Sequence, residues 1–147
     1  MDPLHFMTMN GSLQRSAAFL KVQRAALTLG ALYDVTVAAG LLLVPAILLE
    51  GLRVPPPGEA VYLWLIAALL VALSAVSLLA AYDPMAYVGN VLVAIASRGA
   101  AGAALLAAAS SSGSLRGFAL LGTVNLAFAA AHTVCWRATR HLRAQLL

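Results

Sequence analysis

The stretch VYLWLIAALLVALSAVSLLAAY, Val61 to Tyr82, contains no charged residue, and only Asp83-Pro84-Met85-Ala86 separates it from a second apolar run, Tyr87 to Ala109. Crossing ~30 Å of hydrocarbon takes about 20 helical residues, so each run is long enough to span a bilayer. Asp is a good N-cap and Pro fits the first helical position, so the four intervening residues predict a tight turn between two antiparallel helices. Working outward, Ala25 to Leu49 forms an earlier apolar run, ended by Pro45, Gly51 and the stiff Pro55-Pro56-Pro57. A fourth run, Gly117 to Trp136, follows the polar Ser110-Ser111-Ser112-Gly113-Ser114 connection. The expected fold is all-α: one integral membrane domain over residues 1–147, a four-helix bundle. Ser12 is placed to cap a short interfacial extension of the first helix, with Leu13, Ala17, Phe19 and Leu20 on its apolar side and Gln14, Arg15, Lys21 and Arg24 in water.

Composition demands the same solvent. Of 147 residues, 63% are hydrophobic and 10% charged, and the mean hydropathy is +0.93, more apolar surface than one small soluble core can hide. Arg15, Lys21 and Arg24 precede the first run in the manner of a secretory signal, but that run is too long for one and further spans follow, so an uncleaved first helix is expected. The net charge of +4 does not signal nucleic acid, because the basic residues flank apolar runs and form no patch with aromatics between them. They predict topology instead. Arg15, Lys21 and Arg24 precede the first span and Arg137, Arg140 and Arg143 follow the fourth, whereas the two opposite loops carry only Arg53 and Arg116; both termini are therefore expected in the cytoplasm. Tyr62, Trp64 and Phe118 at one edge, with Tyr82, Tyr87 and Trp136 at the other, agree with those boundaries.

Charges within a span are costly, roughly 2.5–3.5 kcal/mol each on insertion scales, and two residues need a reason: Asp34 and Arg98. At ~1.5 Å per residue, Asp34 lies about 12–14 Å deep on the first helix and Arg98 about 16 Å deep on the third, so they can meet. Asn125 on the fourth helix falls in the same layer. Asn90 and His132 form a shallower one, and His132 shares a helix face with Asn125. Small residues at four-residue spacing, Ala26, Gly30 and Ala38 around Asp34 and Ala94 and Gly102 around Arg98, predict close helix packing on the same faces. Ser74 and Ser77 add hydrogen-bonding groups to the second helix. The expected interior belongs to helices one, three and four, with helix two offering a more lipid-exposed, Leu-rich surface. A structural Asp34–Arg98 pair that fixes helix register competes here with a substrate or proton site.

Catalytic constellations are absent: there is no HExxH, CxxC, GxSxG or P-loop and no clustered His and carboxylate ligands. His132 is the sole histidine inside a span, since His5 and His141 lie in the tails, which argues against an internal bis-histidine haem; no cofactor and no metal are expected. Cys135 alone forms no disulfide and reads as a small apolar residue. Ala31-Leu32-Tyr33-Asp34, Gly40-Leu41-Leu42-Leu43-Val44-Pro45, Ala80-Ala81-Tyr82-Asp83-Pro84 and Arg98 resemble small bacterial four-helix membrane proteins of DoxX-like type. The resemblance implies a bacterial inner-membrane bundle and carries no mechanism. The polar inventory suits helix registration better than chemistry, so the expected role is a non-enzymatic accessory or scaffold subunit, with membrane lipids and other membrane subunits or further copies of the chain as partners. The alternative is a small-molecule or lipid binding or transport protein built on Asp34, Arg98 and Asn125.

Overall fold

The computed structural model describes the backbone of residues 3–111 and 116–143 and the side chains of residues 17–111 and 116–140. Five helices follow one another, with no strand among the described residues: α1 (Pro3–Leu43), α2 (Pro45–Leu52), α3 (Val61–Tyr82), α4 (Val88–Ser111) and α5 (Arg116–Arg143). Four segments within them, Ala17–Leu43, Val61–Tyr82, Val88–Ser111 and Arg116–Arg140, are long and apolar enough to cross a membrane. The chain is thus a multi-pass all-α membrane bundle.

The α3–α4 hairpin forms as its turn residues dictate. Asp83 leaves the helix in an extended conformation, and its Oδ1 accepts hydrogen bonds from the N–H groups of Met85 at 2.9 Å and Ala86 at 3.1 Å. It thus caps the turn over residues 84–87, while α4 itself begins at Val88 and not at Pro84.

The first span differs from expectation at its C-terminal end. It does not run through to Leu49: α1 stops at Leu43, and Val44 takes φ −138° and ψ 49° before Pro45 opens α2. Pro45 has no N–H to donate and its ring would clash with the carbonyl four residues earlier, so the helix breaks and restarts with proline at the position it tolerates best. α2 folds back so that the Leu48 side chain comes to lie against Gly40, where a Cβ would stand 3.0 Å from its end. Leu49 then packs with Ala38, Leu41 and Ala67. At the other end, the expected N-terminal extension and the span form one continuous helix; its side chains before Ala17, among them Leu13, Gln14 and Arg15, lie outside the described residues. The fourth helix also runs on past Trp136, to Arg143.

Closest packing joins α1 to α3 and α4 to α5, while α1/α5 and α3/α4 close the ring; α1 and α4 stand diagonally, with no backbone approach. The interior is made of small and polar groups. Gln23, Leu27, Gly30, Ala31, Asp34 and Ala38 recur along one face of α1, and Val91, Ala94, Arg98 and Gly102 along one face of α4. Large apolar side chains point outward, Leu29, Leu32, Leu65, Leu69 and Leu120 each more than half exposed. A soluble protein could not sustain such a surface, whereas hydrocarbon covers it.

Helix packing also corrects one expectation. α3 does carry the expected leucine-rich outer surface, and with α4 it is the less buried pair of spans, 22% against 33% for α1 and 28% for α5, but it shares the interior instead of only covering it. Its Ala67, Ser74, Ser77 and Ala80 are all buried, and this narrow stripe lets it lie against α1 although Leu69 and Leu79 face outward.

Candidate functional site

The diagonal geometry explains why the mid-membrane cation is an arginine. The backbones of α1 and α4 do not approach each other, so a group joining them has to reach across the bundle axis, which a long side chain can do. Arg98 is fully buried, and its Nη2 donates to Asp34 Oδ2 at 2.6 Å. Its Nη1 donates to Asn125 Oδ1 at 3.3 Å, and Asn125 turns its amide the other way to give Nδ2 to the Leu121 carbonyl at 2.9 Å. One guanidinium therefore ties α4 to α1 and α5 at once.

Backbone spacing and aromatic rings complete the enclosure. A Cβ on Gly30 would fall 2.9 Å from Nη2 of Arg98, so the glycine one turn before Asp34 makes room for the cation. The Phe128 ring centre lies 4.9 Å from the guanidinium carbon and that of Tyr33 6.0 Å away. A desolvated cation over such a ring gains up to about 2 kcal/mol. Phe128 in turn stacks on His132 with ring centres 6.1 Å apart.

Of the residues singled out from sequence, Asp34, Arg98 and Asn125 meet. His132 is fully buried on the same face of α5, one helical turn beyond Phe128. Asn90 stays half-buried at the start of α4 and takes part in none of the side-chain hydrogen bonds of this network. Tyr33 and Phe128 were missed, and Gly30 was read only as a packing residue, though each had a signal: Gly30 and Tyr33 lie four and one residues before Asp34, and Phe128 lies between Asn125 and His132 on one helix face. Gln23, also fully buried, was placed outside the span, yet it continues the stripe of Leu27, Gly30 and Asp34 by one turn.

Several polar atoms inside have no hydrogen-bond partner among the described residues: Asp34 Oδ1, Arg98 Nε, both ring nitrogens of His132, both amide atoms of Gln23, Ser77 Oγ and Trp136 Nε1. No group of three or more His, Cys, Asp or Glu among the described residues could hold a metal ion. The arrangement can fix helices, and it can offer hydrogen bonds to a small polar guest. It has no nucleophile paired with a base. No protein-family model, curated protein or solved structure matches the chain.

Proposed function

We propose that the protein is a non-enzymatic accessory or scaffold subunit of a bacterial inner-membrane assembly, with both termini in the cytoplasm and with other membrane subunits, or a second copy of the chain, as partners. The enclosure of Arg98 carries this reading. Its charge is matched by Asp34 at 2.6 Å, and its remaining contacts are to Asn125, Phe128 and Tyr33, so the strongest polar group of the membrane interior is used to hold three helices in one register. The DoxX-like resemblance belongs to the same proposal. Extraction in a mild detergent tests it: a stoichiometric membrane partner or a stable homo-oligomer is the expected result. A monodisperse monomer that restores full cellular activity when expressed alone would overturn it.

Topology is tested with a cysteine at Glu59, which is exposed between α2 and α3. Cys135 is buried and contributes little background. Glu59→Cys is expected to react with a membrane-impermeant maleimide added to intact cells whose outer membrane has been permeabilised, because the excess of Lys and Arg at the opposite end holds that end inside. Reaction only after the inner membrane is opened would reverse the assignment.

The second reading, a binding or transport protein for a small molecule or lipid, is favoured by the unpartnered buried atoms of Asp34, His132 and Gln23, because such atoms are nearly always satisfied. His132→Leu separates the two. For a scaffold, removing an unpaired buried imidazole leaves stability unchanged or raises it by about 1–3 kcal/mol, with the partner retained. An intact fold that loses a co-extracted metabolite or lipid in native mass spectrometry would move the assignment to the binding protein.

A further inference from the structure

Arg53 and Arg116 are the two basic residues at the loop end of the bundle, and they come from different connections. The fold brings them together. With Gly51, Leu52, Gly117 and Leu120 they line a cleft of about 220 Å³ between the end of α2 and the first turn of α5. We propose that this cleft binds a phosphate group, that of a phospholipid headgroup at the membrane boundary.

Charge is the first argument. No carboxylate lines the cleft, and the ion pair found among the described residues, Asp34–Arg98, lies elsewhere. Two arginines lining one cleft bring two positive charges to it, and an anion bound there offsets both while accepting their planar, paired donors. The N-terminal turn of the 28-residue α5 adds positive potential from its helix dipole.

Construction is the second. Gly117 is buried, and any Cβ on it would strike the Leu52 carbonyl, so α5 starts directly against the last turn of α2 and sets the two arginines at one opening. Arg53 itself has φ 53°, the one non-glycine residue with positive φ among those described. It caps α2 in the left-handed conformation, with its N–H donating to the Glu50 carbonyl at 2.9 Å. Glycine adopts this conformation freely and an L side chain does not. Arginine in a place that suits glycine points to use of its side chain.

The surroundings choose the source of the phosphate. Leu120 lines the cleft and is 59% exposed, and Ile47, 71% exposed, lies one helical turn before Gly51 on α2, so apolar surface adjoins the cationic opening. A phospholipid matches both parts, and a free phosphate matches only the first.

The test uses the full chain in mild detergent, probed with phosphatidylglycerol and separately with inorganic phosphate, by native mass spectrometry and thermal shift. Wild type is expected to hold phosphatidylglycerol saturably. Arg53→Gln combined with Arg116→Gln should weaken that binding about tenfold or more, the loss expected for two charge-assisted contacts, whereas Arg137→Gln combined with Arg140→Gln at the opposite end should leave it unchanged. Arg53→Gly gives the sharpest reading: it should raise the melting temperature by relieving the backbone and still weaken lipid binding, opposite signs that a merely structural arginine cannot produce. Competition by inorganic phosphate at millimolar concentration would identify free phosphate as the source of the same chemistry. Equal binding of both probes by wild type and the Arg53/Arg116 double variant, or an equal loss in the opposite-end control, would overturn the proposal.

Discussion

Asp34→Asn is expected to destabilise the bundle by about 3–5 kcal/mol, the cost of leaving one partner of a buried ion pair without its counter-charge. Arg98 has no exposed surface and sits on the helix diagonal to Asp34, so it cannot reach water without unpacking α4. Losing the 2.6 Å contact leaves the guanidinium with Asn125 and the faces of Phe128 and Tyr33. Adding Arg98→Gln removes the stranded charge. The double variant is expected to recover much of the loss, which reversible unfolding in detergent would register as a coupling energy of more than 1 kcal/mol. Equal instability of single and double variants would mean that the two side chains do not act as a pair. Retained partner binding by the neutral double variant fits a registering lock, while a folded variant that has lost its activity fits a ligand or proton site.

That pairing was legible before any coordinates, because depth along a membrane helix is simple counting and an unpaired charge at that depth is expensive. The same economy placed Asn125 beside it and turned His132 inward. The α3–α4 turn was legible because Asp83 and Pro84 each act through a local mechanism, a side-chain cap and a fixed φ, that needs no tertiary context. Which helices are neighbours is a different kind of information. Small residues at four-residue spacing say that a face packs closely without naming its partner, so the leucines of α3 marked its lipid-facing side but its pairing with α1 went unread. Its outward Leu69 and inward Ser74 are only five residues apart in one apolar run.

Proline and glutamine misled for opposite reasons. Pro45 signals a break, and a break is equally compatible with the end of a span and with the start of a second helix; the packing of Leu48 and Leu49 back onto Ala38, Leu41 and Ala67 belongs to the second case. Gln23 lies among Lys21 and Arg24, both exposed, so local composition reads as interfacial although its own side chain continues the buried stripe. The arginine cleft was illegible for a third reason. Arg53 and Arg116 entered the topology count as two isolated exceptions, and nothing short of the packing of Gly117 on Leu52 brings them to one opening.

Gly102→Val is expected to destabilise the α4–α5 packing by about 1–3 kcal/mol, the range for overpacking a tight contact, and to do so without touching a polar atom of the Arg98 network. Even a Cβ at this position would lie 2.8 Å from Leu126 Cγ and 2.9 Å from the Gly122 carbonyl oxygen, and a Cβ on Gly122 would lie 3.0 Å from the Gly102 carbonyl. The two glycines thus face each other across a contact in which backbone meets backbone, and backbone cannot rotate away as a side-chain end can. The branched valine has to push α5 outward. Because Gly102 sits one turn from Arg98 and Gly122 lies three residues before Asn125, that displacement should also lengthen the Arg98–Asn125 contact, already the longer of the guanidinium's two at 3.3 Å. Gly99→Ala is the control, since a Cβ there meets nothing within 4 Å, and alanine should raise helix stability by up to about 1 kcal/mol. Thermal unfolding of both variants in the same detergent decides the matter: similar melting temperatures for Gly102→Val and wild type would mean that the two helices do not approach as closely as the glycine pair requires.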